Sequence, residues 1–309
     1  MNLNPSTQKK LLEHGPLFQK LVKLYKENKL PNKFLLSGEK GIGKSTLAYH
    51  LINFILSKNE ENSYDIVNFE INPDNKSYKL LQNKSNPNFN LIDISDDKKN
   101  IDINQIRELI VNLNKSSFNN KLRFVLIDNI ELLNINSVNA LLKVLEEPNE
   151  NVIFILINNN KKILPTLKSR CLNFRVLLTN EQSTKVVRQL LNKDFNNIEN
   201  KELFDNYTTP GKLLHIIKFS ELYKIDLKKI NLKEFLSLMI NNKVYKKDKS
   251  FSLIIYSYIE LYFRNNISIN NINLFNLYRY FLKNINKTKI YNLDEETLFM
   301  EFEEKVLNG

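Results

Sequence analysis

Three unbroken apolar runs, Phe34-Leu35-Leu36, Phe124-Val125-Leu126-Ile127 and residues 152–157, punctuate a chain otherwise dominated by Lys, Asn and Ile. Each is too short for a helix and apolar on both faces, the pattern of strands covered on both sides of a parallel sheet. Residues 89–94 and 172–177 read as two more strands. Between the strands the period changes to that of a helix. Phe18, Leu21, Val22 and Tyr25 share one face within 9–30, residues 45–56 form an apolar helix, and Ile103, Ile106, Ile110 and Leu113 share another face. Residues 137–147 form a further helix that Pro148 stops. The stretch 58–87 is polar, rich in Asn and weakly periodic, and is expected to leave the core.

Beyond residue 179 the strand pattern stops. Residues 183–191 read as a short helix, and Thr208-Thr209-Pro210-Gly211 as a turn opening another. Two long amphipathic faces follow: Phe251, Ile254, Ile255, Tyr258, Ile259 and Tyr262, then Leu274, Leu277, Tyr278, Phe281 and Leu282. Aromatic stripes at this spacing are core and need no ligand. The expected class is therefore α/β plus all-α, a parallel five-stranded sheet followed by helices.

Composition narrows the picture. A chain of 309 residues holds two or three domains. Its first ten residues are polar, and its most apolar helix, 251–263, carries Ser, Tyr and Glu and is too short to span a bilayer, so a soluble cytoplasmic protein is expected. Cys171 is the single cysteine, and His14, His50 and His215 are scattered, which excludes disulfides and a zinc cluster built from this chain alone. The net charge of +11 is only weak support for nucleic-acid binding, because Lys, Asn and Ile are enriched everywhere, as codon bias in an A/T-rich genome would produce. Lys243, Lys246, Lys247 and Lys249 form the densest basic stretch.

Three of six glycines fall within Gly38-Glu39-Lys40-Gly41-Ile42-Gly43-Lys44-Ser45, which fits G-x-x-x-x-G-K-[ST] at every fixed position and is followed by Thr46. An apolar strand enters this loop and a helix leaves it, the context the motif requires. Glycines let successive backbone N–H groups turn inward as an anion nest at a helix N-terminus. Lys44 would reach the β- and γ-phosphates of ATP, and the Ser45 hydroxyl would ligate Mg²⁺. Asp128, which ends the second apolar run, is the matching candidate for holding the metal's water shell.

Two further stretches carry a resemblance. Asn139-Ala140-Leu141-Leu142-Lys143-Val144-Leu145-Glu146-Glu147-Pro148, and Leu164-Pro165-Thr166-Leu167-Lys168-Ser169-Arg170-Cys171, resemble the bacterial clamp-loader branch of the AAA+ ATPases, with Ile103-Asn104-Gln105-Ile106-Arg107-Glu108-Leu109-Ile110 matching as well. Within that branch the chain is most similar to the delta-prime group of DNA polymerase III subunits, over about Leu12 to His215. The resemblance implies an AAA+ P-loop core over 1–178, a small helical lid over 179–218 and a helical collar over 219–309 for ring assembly. It implies Arg170 as an arginine finger acting in trans on a neighbour's ATP, and Asn158 in the first sensor position. The implied partners are tau/gamma and delta subunits, primed DNA within the assembly and, indirectly, the sliding clamp, with no membrane partner. Cys171 in this motif reads as a packing residue.

The departures from the pattern set the expected activity. Active members of the branch carry a glutamate directly after the metal-binding aspartate, and here that residue is Asn129, which cannot accept a proton from water. Glu131 is expected to be a poor substitute, with nothing to fix it over the phosphates. The second-sensor arginine of the lid is missing, Lys212 being adjacent but displaced, and 58–87 lacks the cysteines of the family's zinc module. These losses imply a delta-prime-like, stator-type subunit of the polymerase III holoenzyme that binds ATP and Mg²⁺ without zinc and hydrolyses ATP weakly or not at all. The rival readings are a tau/gamma-like motor ATPase, which requires the missing glutamate, and an unrelated P-loop enzyme, which requires an acceptor site.

Overall fold

The computed structural model describes residues 4–94, 100–115, 121–146, 151–191, 200–204, 208–267, 272–291 and 293–308. The expected stop of a helix at Glu147 and Pro148 lies outside them. The chain divides into two compact units, Met1–Val186 and Val187–Gly309.

The first unit is built on five parallel strands: β1 (Lys33–Ser37), β2 (Phe89–Ile92), β3 (Arg123–Ile127), β4 (Val152–Asn158) and β5 (Leu172–Arg175). Their order in the sheet is β2-β3-β4-β1-β5. Every residue of β3 and β4 is buried, as their unbroken apolar runs predict, and each apolar side chain among them contributes roughly 1.5–3 kcal/mol through burial. Arg123 opens β3 yet is buried too, because its guanidinium donates to the carbonyls of Asn112, Leu113 and Lys115 at the end of a helix.

Helix α1 (Gly15–Lys26) precedes the first strand, α2 (Lys44–Leu56), α3 (Lys76–Gln82), α4 (Ile103–Asn114), α5 (Ile135–Glu146) and α6 (Pro165–Ser169) lie between the strands in sequence, and α7 (Asn180–Leu191) follows them. Helix α4 starts with a reciprocal capping box between Asp102 and Gln105, and the apolar face of α4 and α5 meets the sheet around Ile106, Leu109, Val125, Phe154 and Leu141. The polar stretch 58–87 differs from expectation. It folds back onto the core through Tyr64, Ile71, Tyr78 and Leu81, all buried, and through polar bonds, His50 to Tyr64 and Asn53 to Asn75. Side-chain hydrogen bonds supply there the order that periodicity does not reveal. The second strand is shorter than its pattern, ending at Ile92 and leaving Asp93 just past the sheet.

The second unit is helical. It contains α8 (Lys201–Phe204), α9 (Pro210–Tyr223), α10 (Leu232–Asn241), α11 (Val244–Lys247), α12 (Ser250–Asn266), α13 (Ile272–Tyr291) and α14 (Glu295–Phe302), with a π-helical end at Glu303–Leu307. Thr209 caps α9 with Pro210 in its first turn, as the turn signal anticipates. Of the two amphipathic stripes, Ile254, Ile255, Tyr258, Ile259 and Phe281 are buried in the core, Phe251, Tyr262, Leu274, Leu277 and Tyr278 pack partly buried against it, and Phe281 meets Phe302 edge to face at 5.3 Å. No helix among the described residues is long and apolar enough to cross a membrane.

Candidate nucleotide-binding site

The strand order places the C-terminal end of β4 beside that of β1, with Ser37 paired to Asn158, and β3 on the other side of β4. The loop after β1 and the aspartate after β3 therefore open on the same edge, the position at which open α/β sheets take their ligands. The loop is fastened at its base by the Gly38 N–H, which donates to the Asn158 carbonyl at 3.2 Å. Gly38 must be glycine for a packing reason, since a Cβ there would lie 2.4 Å from the Val176 carbonyl oxygen. Gly41 and Gly43 are required by conformation, with φ of 82° and 101°.

Lys44 is the first residue of α2 and its ammonium is curled into the loop, donating to the carbonyls of Gly38 at 2.9 Å and Glu39 at 2.7 Å. Burial pulls its pKa down to about 8, against the attraction of Asp128, Glu131 and Glu39. His14 supports the loop from behind, donating from Nε2 to the Ile42 carbonyl at 2.7 Å, and burial pulls its pKa down as well. Ser45 Oγ donates to Asp128 Oδ2 at 2.5 Å. Burial, reinforced by the nearby Asp93, pushes the Asp128 carboxyl above the usual carboxylate range, with the Ser45 bond opposing the shift. Glu39, Lys40, Ile42 and Thr46 complete the loop and the first turn of α2, with Ile42 buried beneath.

These residues fit Mg²⁺·ATP. A loop with two left-handed glycines, a lysine inside it and a hydroxyl already against a carboxylate present an anion cradle next to two hard oxygen ligands. Among the described residues no group of three His, Cys, Asp or Glu side chains could hold a metal by itself.

Beyond the loop, the structure assembles a network that the sequence reading missed. Asn129, with φ of 55°, donates from Nδ2 to Asp93 Oδ1 at 2.8 Å and accepts on Oδ1 from Asn159 Nδ2 at 2.8 Å. Asn159 also holds Glu131, donating from Nδ2 to Oε1 at 2.8 Å and from its backbone N to Oε2 at 3.3 Å. Glu131 lies in the single turn Ile130–Leu132 after β3, with its carboxylate fixed by Asn159. Asn158, the residue proposed from sequence for the first sensor, is buried and bonded instead to the turn after it, exchanging hydrogen bonds with Lys161. The residue that touches the other polar groups is its neighbour Asn159.

Arg170 is the C-cap of α6 and joins none of these groups. Its guanidinium donates to the Thr166 carbonyl at 2.9 Å and pairs with Glu146 at 2.5 Å, with a third of the side chain exposed. Cys171 is buried, and its thiol is pushed up to about 11 by burial, which suits packing and not nucleophilic attack. In the second unit Lys243 and Lys246 both pair with Glu296, at 2.7 and 2.5 Å, so part of the basic stretch is neutralised within the chain.

A P-loop after the first strand, an aspartate after the third and the order β2-β3-β4-β1-β5 define an AAA+-like P-loop core, followed by a helical region. Residues 13–179 match the family described as DNA polymerase III, delta subunit, and the chain belongs to that family, within the AAA+ clamp-loader proteins. It is 28% identical over 201 residues to DNA polymerase III subunit gamma of Buchnera aphidicola subsp. Schizaphis graminum, covering 64% of this chain and 53% of that one. It is 31% identical over 139 residues to the delta' subunit of Pseudomonas aeruginosa, covering 45% of this chain and 40% of that one. The delta' subunit of the same Buchnera is 25% identical over 279 residues, 87% of this chain and 83% of that one. The chain thus spans about half the length of the first two relatives and most of the third.

Proposed function

We propose that this chain is a delta-prime-type subunit of the DNA polymerase III clamp loader, a stator that holds ATP·Mg²⁺ and contributes Arg170 to the ATP site of a neighbouring subunit. The observation that carries this reading is the contrast within one site. The phosphate and metal half is complete, with Lys44 in the loop and Ser45 on Asp128, while the position after Asp128 is an amide tied on both sides. Such a site retains affinity and loses most of its power to deprotonate water.

Arg170 suits the second role because its guanidinium lies on the partly exposed end of α6, engaged with Glu146 and Thr166 and not with this chain's own loop. A guanidinium brought to a developing γ-phosphate charge stabilises the transition state by several orders of magnitude in rate. In this reading residues 179–218 act as the lid and 219–309 as the collar that joins tau/gamma and delta partners, and primed DNA is met within the assembly.

The motor reading draws on the similarity to a gamma subunit, and the amide at Asn129 supports the stator reading over it. The test is steady-state hydrolysis by the purified chain together with an ATP·Mg²⁺ titration, wild type against Lys44→Ala. Tight binding that Lys44→Ala abolishes, with negligible steady-state turnover, is the expected result. Turnover at a motor's rate overturns the stator assignment.

A further inference from the structure

The loss of the glutamate at position 129 leaves a question of where the proton of an attacking water goes. Two carboxylates flank Asn129 through the amide network, Asp93 on the β2 side and Glu131 on the β4 side. They are not equivalent. Asp93 Oδ1 already accepts from both the Ile94 backbone N, at 2.7 Å, and Asn129 Nδ2, so it is tied to the end of its own strand. It acts electrostatically on Asp128 and Tyr49. Glu131 acts electrostatically on Lys44, the side chain that takes the β- and γ-phosphates. Each of its oxygens accepts one hydrogen bond from Asn159, which fixes the carboxylate plane and leaves a lone pair free on each oxygen.

We propose that Glu131, oriented by Asn159, replaces the missing glutamate as the general base for a slow hydrolysis of ATP at this chain's own site. The inference rests on the reading of this site as an ATP site. In the step, the water oxygen bonds to the γ-phosphorus while the bond from that phosphorus to the β,γ-bridging oxygen breaks. ADP leaves with that electron pair, and the water proton passes to the Glu131 carboxylate, which returns it to solvent. Asn159 is a positioning residue: its side-chain and backbone donors hold the base, and its bond to Asn129 ties the base to the end of β3. The reaction is slow because the base sits two residues later in the chain than in a motor, on a turn instead of directly after the strand.

The test uses the full chain in excess over labelled ATP·Mg²⁺, so that a single slow turnover is resolved, with ATP affinity measured in parallel by titration. Glu131→Gln is expected to lower the single-turnover rate about 100-fold, the scale of general base catalysis, with ATP affinity unchanged within twofold. Asn159→Ala, which frees the carboxylate without removing its charge, is expected to lower the rate about tenfold, again with affinity retained. Wild-type binding with an unchanged rate in Glu131→Gln overturns the proposal and leaves the ATP site standing. A rate lost in Asp93→Asn and retained in Glu131→Gln overturns it in favour of the β2 carboxylate. Failure of the wild-type chain to bind ATP·Mg²⁺ overturns both the proposal and the reading beneath it.

Discussion

Ser45 and Asp128 stand 83 residues apart in the chain and meet in a hydrogen bond of 2.5 Å at the mouth of the phosphate loop. The pairing brings a hydroxyl and a carboxylate, one from the start of α2 and one from the end of β3, to where a divalent cation is held in P-loop proteins. Asp128 is half-buried near Asp93, whose charge adds to the desolvation that raises its pKa, while Ser45 and the more distant Lys44 oppose the shift. Asp128→Asn is expected to weaken ATP binding in Mg²⁺ by about tenfold or more while binding in EDTA changes little. Calorimetric titration with and without the metal checks this; an equal loss in both would assign Asp128 a structural role only.

The glycine at the base of the loop gives a second test. A Cβ on Gly38 would press on the backbone carbonyl of Val176, an atom that cannot move without shifting the residue that follows β5. Gly38→Ala is expected to cost roughly 1–3 kcal/mol of stability and to impair nucleotide binding. Urea unfolding followed by circular dichroism measures the first effect, and a wild-type midpoint would contradict it.

Tyr258 illustrates the opposite case. Its ring packs edge to face on Phe235 at 5.6 Å in the helical core, but its hydroxyl is buried without a hydrogen-bond partner among the described residues. Removing an unsatisfied buried hydroxyl relieves about 1–3 kcal/mol of desolvation cost, so Tyr258→Phe is expected to raise stability. A lower unfolding midpoint for Tyr258→Phe would show that the hydroxyl is bonded in solution.

His50 makes stability depend on pH. It is wholly buried between the Tyr64 hydroxyl and the Gln8 carbonyl, and burial pulls its pKa from 6.5 down to about 4. Between those two values the unfolded chain binds a proton that the folded chain refuses, so stability falls as pH falls. The loss attributable to His50 is roughly 3 kcal/mol on going from pH 7 to pH 4, at 1.36 kcal/mol per unit. His50→Gln retains one donor and one acceptor and is expected to reduce that slope, and buried His14 contributes a slope of the same sign. Chemical denaturation at a series of pH values measures it; identical slopes in wild type and His50→Gln would contradict the assignment.

The sheet and the phosphate loop were legible because single residue types decide them. Apolar runs covered on both faces permit only interior strands, and a left-handed turn at Gly43 admits little else. The region 58–87 was not legible, because its order comes from His50, Asn53, Tyr64 and Asn75 bonding one another across the fold. The same reason hid Asn159. Asn158 and Asn159 are identical side chains in succession, and only the direction each takes at the end of β4 separates the one bonded to Lys161 from the one bonded to Glu131. Asp93 carried a usable signal, since like Asp128 it directly follows a strand that enters the same edge of the sheet. Lys243 and Lys246 belong to the densest basic stretch of the sequence, and their pairing with Glu296 depends on the first turn of α14 lying beside them.

The stator function turns on the trans role proposed for Arg170, which in the isolated chain is bonded to Glu146 and Thr166. Its most direct test is DNA-stimulated ATP hydrolysis by the reconstituted clamp loader carrying Arg170→Ala, with complex formation followed by gel filtration. An intact assembly is expected, with stimulated hydrolysis at the neighbouring site reduced by about 10³-fold. An intact assembly that hydrolyses ATP at the wild-type rate would contradict it.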